Sequence, residues 1–339
     1  MHLRPWSLFI FNFKIMAQGI VRLIKGNEEA RVISVVLGTL ILLEFALSFS
    51  LSSLSIDHSH IMSMREVGDS MRLDSRPKIL VLGNSQARRG IDKDILSRKL
   101  REEFGTEFAF YQFVPDGGTI SDWRFGWDKF FSDGRLGNSS IVLICGGSGH
   151  LDDRAADPKQ IGSNYVGAID LLPVMFEEFS TTENRLQLVA SWASLCYSNG
   201  FRVQRRLRET LFPRYRLAAQ AINEQSKKTS RQRNGNETKE EGLEQLSRFV
   251  GARTNEGLRV VVINTPNFLP YSPPVDIDTI ISDAGGSYFD FRYVKEIDDS
   301  CFIDPYGTDP FHLNDRGAAI FTSRLAQLLA VEQKANGRE

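Results

Sequence analysis

Two short stretches of the chain hold residue types that can do covalent chemistry together. GNSQARRGID (83–92) sets Ser85 directly after an apolar run, at the head of a helical stretch. DPFHLNDRG (309–317) sets Asp309 three residues before His312, just ahead of the last helical stretch. A serine hydroxyl is a poor nucleophile until a neighbouring base takes its proton, and that base needs an orienting carboxylate. Asp309 and His312 on one loop meet this need locally: the carboxylate holds the Nδ1 proton and leaves Nε2 facing Ser85. The helix N-terminus behind Ser85 offers N–H groups and partial positive charge to a developing oxyanion. Asn314 or Asp315 caps the final helix and keeps the preceding loop rigid. Taken singly, each stretch is weak. A serine after a strand is usually an N-cap, and Asp-x-x-His is commoner as a surface pair. Asp304 is a rival carboxylate for His312, with a turn before Pro305 as its plain role.

The elements that must position these residues are legible as apolar runs. KILVL (78–82) closes on Gly83, and residues 91–104 have helical spacing. EFAFYQF (107–113) is a second strand, followed by Gly117 and Gly118; a helix is predicted over about 120–131. IVLIC (141–145) runs into GGSG, RVVVIN (259–264) is a fourth strand, and SYFDF (287–291) is a weaker fifth. The last helix is predicted over roughly 315–333. Continuous β-branched runs, each followed by a helix, indicate parallel strands buried on both faces. The expected fold is α/β, a flavodoxin-like three-layer sandwich with a central, mostly parallel five-stranded sheet, over residues 77–335. Ligands of such sheets bind beyond the carboxyl ends of the strands, where the glycine-rich turns lie. A largely helical insert covers about 150–257, with Pro158, Pro173 and Pro213 as breakers. Within it, 224–242 is charged and almost free of apolar residues, which suits a disordered loop. The sequence has no internal repeats.

The 41 basic and 42 acidic residues leave a formal net charge of -1, so no electrostatic footprint for nucleic acid exists. The three cysteines, Cys145, Cys196 and Cys301, are widely spaced and read as small buried hydrophobes. With no Cys/His cluster, neither a metal site nor a cofactor is expected. Residues 32–56 carry Glu44 as their only charge and, as a helix, rise roughly 37 Å, enough to cross a bilayer core. A cleaved signal peptide fits less well, because its apolar stretch is shorter and nearer the N-terminus. Arg4, Lys14, Arg22, Lys25 and Arg31 precede the segment and Arg65, Arg72, Arg76 and Lys78 follow it, a modest bias that places residues 1–31 in the cytoplasm. The expected product is a single-pass inner-membrane protein with its C-terminal domain periplasmic or extracellular. Residues 5–24 suit an interfacial helix, unless Met16 is the true start. Glu44 inside the span marks a polar contact with a partner helix, although a lone glutamate in a long span is more often simply protonated or placed near an edge. Residues 57–76 are polar and read as a linker, so His58 and His60 suggest nothing catalytic.

The two reactive stretches resemble the first and last sequence blocks of the SGNH/GDSL hydrolase superfamily, particularly membrane-anchored members associated with cell-surface polysaccharide. There the first block is Gly-Asp-Ser or Gly-Asn-Ser and the last is Asp-x-x-His. The resemblance covers about 78–331, leaving the insert unaccounted for. It implies Ser85 as nucleophile, His312 as base and Asp309 as its partner, with Asn84 beside them in the first block. In YQFVPDGGTISDW (111–123), Gly117 takes the place of the second-block glycine whose N–H faces the oxyanion; Gly118 is the close alternative, and a tight turn needing positive φ is the plain role. The third block, Gly-x-Asn-Asp in the family, stands here as GGSGH (146–150): Gly146 matches, but Ser148 replaces the asparagine. A serine hydroxyl can donate too, though it is shorter and free to rotate. His150 lies just after this turn, where a satisfied loop histidine is the plainer role.

The resemblance implies a serine ester hydrolase or O-acetyltransferase acting on acylated surface carbohydrate or a small ester, attached to the membrane by one helix. Protein partners are not named by any feature. Two rivals stand beside it: a non-catalytic member that binds glycan or an export complex, favoured by the missing asparagine, and an unrelated flavodoxin-like binding domain. The latter lacks the P-loop lysine pattern.

Overall fold

The structure, a computed structural model, describes residues 28–132, 136–137, 140–147, 150–153, 155–212, 243–268, 276–305 and 309–335. Its centre is a sheet of β1 (Lys78–Gly83), β2 (Ala109–Phe113), β3 (Ile141–Gly146), β4 (Arg259–Asn264) and β5 (Ser287–Asp290), in the order β2-β1-β3-β4-β5. Every neighbouring pair is parallel, so the sheet is wholly rather than mostly parallel. This is the flavodoxin-like order, whose reversal between β1 and β3 opens a crevice at their carboxyl ends.

β1 and β3 are buried at every position, which is why their sequences are continuous apolar runs. The two-residue period of a strand still sorts the side chains. Leu80, Leu82, Val142, Ile144, Val260 and Val262 enter one core, while Ile79, Val81, Ile141, Leu143, Val261 and Ile263 enter the other. The second core is closed by α4 (Lys93–Phe104) and α12 (Asp315–Ala335). The first is closed by α2 (Ile56–Leu73), α5 (Ile120–Phe130), α10 (Glu244–Asn255) and α11 (Ile277–Asp283).

Helix α2 corrects the linker expected over 57–76. Ile61, Met64 and Met71 are at most 2% exposed and join the core, at the spacing of one helical face. Fully burying side chains of this kind contributes about 1.5–3 kcal/mol each, so the segment is fixed to the domain. The preceding helix, α1 (Glu28–Leu54), begins four residues before the expected apolar span and is long and apolar enough to cross a membrane. Ser55 separates the two and caps α2 by accepting the N–H of His58 at 3.2 Å.

The insert contains α6 (Pro158–Asn164), α7 (Leu171–Glu178), α8 (Thr182–Ala193) and α9 (Leu195–Leu211). Pro158 and Pro173 stand in the first turns of α6 and α7, where a missing N–H costs no intrahelical bond. They start helices rather than break them. Pro213 and the stretch 224–242 fall outside the described residues. Cys145 and Cys301 are buried, whereas Cys196, at the head of α9, is half-exposed, so the small-hydrophobe role fits two of the three.

Candidate active site

Ser85 begins a short helix, α3 (Ser85–Gly90), set immediately after β1. Asn84 forms the N-cap, and its side-chain oxygen accepts the N–H of Gln86 at 2.9 Å. The passage from strand to helix is tight. A Cβ on Gly83 would stand 2.5 Å from the Ala87 Cβ and 3.0 Å from the Cys145 carbonyl oxygen. Gly83→Ala is therefore expected to destabilise the fold by about 1–3 kcal/mol, read as a lower urea midpoint at unchanged m-value. An unchanged midpoint would show that the turn relaxes freely. The Gly83 carbonyl accepts a hydrogen bond from the buried Trp123 Nε1 at 2.8 Å, which fixes the turn from the other core.

Asp309 and His312 lie on a strand, not on the loop expected for them. β7 (Asp309–Leu313) pairs antiparallel with β6 (Phe302–Asp304) in a two-stranded ribbon with an irregular register. Gln86 Nε2 donates to the Phe311 carbonyl at 3.3 Å, tying the ribbon to the helix that carries Ser85. Behind the ribbon, Asn314 accepts the N–H of Gly317 at 3.1 Å through its side chain and so caps α12.

These supports bring three side chains into one hydrogen-bonded line. His312 Nε2 stands 2.9 Å from Ser85 Oγ, and His312 Nδ1 stands 2.5 Å from Asp309 Oδ1. All three side chains are partly buried. Asp304, the rival carboxylate, sits across the ribbon as the register partner of Asp309. The second oxygen of Asp309 accepts from Arg89 at 3.1 Å. A cavity of about 400 Å³, lined by Arg89, Ile303, Leu313, Asn314 and Asp315, opens on that side rather than over Ser85.

The donors expected for an oxyanion are placed as follows. Ser85, as the first helical residue, has an N–H without an intrahelical acceptor. Asn84 is 1% exposed, and its Nδ2 has no hydrogen-bond partner among the described residues. Gly117 has φ +67° within the turn 115–118, which Gly118 closes by donating its N–H to the Pro115 carbonyl at 3.0 Å. The Gly118 N–H is thus committed to the turn. Ser148 lies outside the described residues. Thr265, just beyond β4, binds the Gly146 carbonyl through its N–H at 2.8 Å, so the end of β3 is anchored whatever follows it. His150 contacts the Gly147 carbonyl through Nδ1, the satisfied loop role.

The site's support from α2 has no signal in the sequence. His60 Nε2 accepts the N–H of Val114 at 2.9 Å, and Asp57 Oδ1 accepts that of Asp116 at 2.8 Å. Together they hold the loop that carries Gly117. Only a neutral His60 can accept this bond; burial, then the Arg88 charge, lower its pKa to about 4 against the opposing pull of Asp116. A depressed histidine stabilises the fold above its unfolded value of 6.5, and that contribution is lost as pH falls toward 4. Its full size is about 3 kcal/mol. His60→Ala is expected to lower stability at pH 7 and to flatten the stability loss between pH 6.5 and 4, measured by urea unfolding. An equally steep loss in the variant would assign the acid sensitivity to other groups. Arg89 was the other unmarked residue; its signal is the four-residue step from Ser85 along one helix face.

No family model matches this chain, and no curated protein matches it. Among solved structures, it is similar to a mutant of Axe2, an acetyl-xylooligosaccharide esterase from Geobacillus stearothermophilus, at 12% identity and a TM-score of 0.37, over 77% of this chain and 96% of that one. It is also similar to LAE5, an alpha/beta hydrolase from the metagenome of Lake Arreo, Spain, at 13% identity and a TM-score of 0.35, over 76% and 95%. The acetyl xylan esterase AlAXEase aligns at 11% identity and a TM-score of 0.33, over 75% and 98%. Likeness at this level carries no argument about chemistry, which rests on the geometry of the site.

Proposed function

We propose that the protein is a membrane-anchored serine acyl-ester enzyme of the SGNH type, an ester hydrolase or O-acetyltransferase. Ser85 attacks the acyl carbonyl, His312 takes its proton through Nε2 and returns it to the leaving oxygen, and Asp309 holds Nδ1 and balances the imidazolium. The observation that carries this is the 2.9 Å and 2.5 Å line of contacts joining Ser85, His312 and Asp309 across 227 positions of sequence. A nucleophile, a base and an orienting carboxylate within hydrogen-bond reach form the constellation that acyl transfer needs. The tetrahedral oxyanion is met by the N–H groups of Ser85 and Gly117, and Ser148 stands at the position of the family's third donor. Acylated carbohydrate or a small ester is the substrate. Helix α1 spans the membrane with its basic N-terminal side cytoplasmic, leaving the domain periplasmic or extracellular.

The test is to treat the full chain, purified in detergent, with a fluorophosphonate probe and with p-nitrophenyl acetate, with and without an oligosaccharide acceptor. Covalent labelling at Ser85 and acetate release are expected, and acetyl transfer to the sugar identifies the transferase. Absence of both labelling and turnover, with glycan still retained by the protein, would favour a non-catalytic binding role.

A further inference from the structure

Glu44, the charged residue in the middle of α1, has its partner within the same chain. Ser194 donates its hydroxyl to Glu44, and the N–H groups of Leu195 and Cys196 reach the same carboxylate at 2.8 and 3.1 Å. Glu44 therefore closes the N-terminus of α9, where a carboxylate satisfies free N–H groups and meets the positive end of the helix dipole.

The depth of this contact is set by helix geometry. The stretch of α1 long and apolar enough to cross the membrane runs Glu28–Leu51, 24 residues, with Glu28, Glu29 and Arg31 at its N-terminal end. At 1.5 Å per residue it rises about 36 Å against a hydrocarbon core of about 30 Å, overshooting by about 3 Å at each end. Glu44 lies seven residues before Leu51, about 10 Å from that end, and so about 7 Å inside the hydrocarbon boundary. An element bonded to Glu44 cannot stand clear of the lipid. Interfacial helices seat their apolar faces about 5–10 Å into this zone.

The insert is composed for that position. α7 opens LLPVMF: Leu171, Val174 and Met175 are half-buried against the core, and Leu172 and Phe176 stand out from it. Leu172, Phe176 and Leu186 are 61%, 60% and 65% exposed, and Ile169 just before α7 is 90% exposed. Trp192 and Tyr197, beside the Glu44 contact, are also exposed, and such rings favour the headgroup level. Water is a poor neighbour for this surface. Resting on the membrane anchorage proposed above, we infer that α7, α8 and the start of α9 form a second membrane-seated element, packed on α1 and embedded in the outer leaflet. The occupant of the exposed apolar face is lipid. The domain is then held against the bilayer at two places rather than carried on a flexible stem.

The test uses the full chain in nanodiscs of phosphatidylcholine and phosphatidylglycerol containing a diazirine-tailed lipid, with labelled peptides identified by mass spectrometry. Carbene insertion is expected in peptides from α1 and from residues 169–193, and not in those from α4. Phe176→Glu with Leu186→Glu is expected to remove the label from 169–193 while leaving that on α1 and the ester hydrolysis unchanged. Label on α1 alone overturns the seating and leaves the anchorage intact. No label on α1 overturns the anchorage itself. Protection of 169–193 from label together with crosslinks between two copies through that stretch overturns the lipid assignment in favour of a dimer face.

Discussion

Ser85→Ala is expected to abolish fluorophosphonate labelling and to lower kcat for p-nitrophenyl acetate by on the order of 10⁴- to 10⁶-fold. The fold should be untouched, because the cap of α3 comes from Asn84 and the close strand-to-helix packing comes from Gly83. Unfolding midpoints of the wild type and variant should then agree within about 0.5 kcal/mol. Residues acting as one unit are not additive, so Ser85→Ala combined with His312→Ala should be no slower than either change alone. Residual turnover should survive, since binding and the oxyanion donors remain. A variant retaining most of its rate would move the chemistry elsewhere, however well Ser85 and His312 are aligned.

The parts of this molecule that the sequence reveals are those whose physics is local. β1, β3 and β4 are legible because strands buried on both faces must be apolar throughout, and each contributes such a run. The order of the serine block and the Asp-x-x-His block is legible too, but the 2.9 Å that joins them depends on Gln86 binding the ribbon and on the docking of α12, which no spacing reveals. Helix α2 is hidden for a related reason. Ile61, Met64 and Met71 are too few among polar neighbours to announce a face until the core they enter is known. The ribbon of β6 and β7 is short, holds Pro310, and alternates poorly, so it reads as loop. Glu44 is the clearest instance: its partners lie 150 positions away, and a lone acid in an apolar span is ambiguous until they are found.

Asp309→Asn is expected to cost about 10⁴-fold in kcat, the size of effect that follows when the imidazole is held in the wrong tautomer. Arg89 makes the direction of that error specific here. A guanidinium has only donors, so it requires an oxygen at the position where Asp309 Oδ2 now accepts at 3.1 Å. The new amide must then turn its oxygen to Arg89 and its NH₂ to His312 Nδ1. Nδ1 becomes an acceptor, the ring proton moves to Nε2, and the histidine donates to Ser85 when it should accept. Removing Arg89 frees the amide to rotate. Arg89→Ala alone should cost far less than Asp309→Asn, and the double variant should be faster than Asp309→Asn alone. Such a partial rescue has no explanation if Arg89 merely adds surface charge. Equal or slower turnover in the double variant would show that the ion pair does not set the orientation of the carboxyl group.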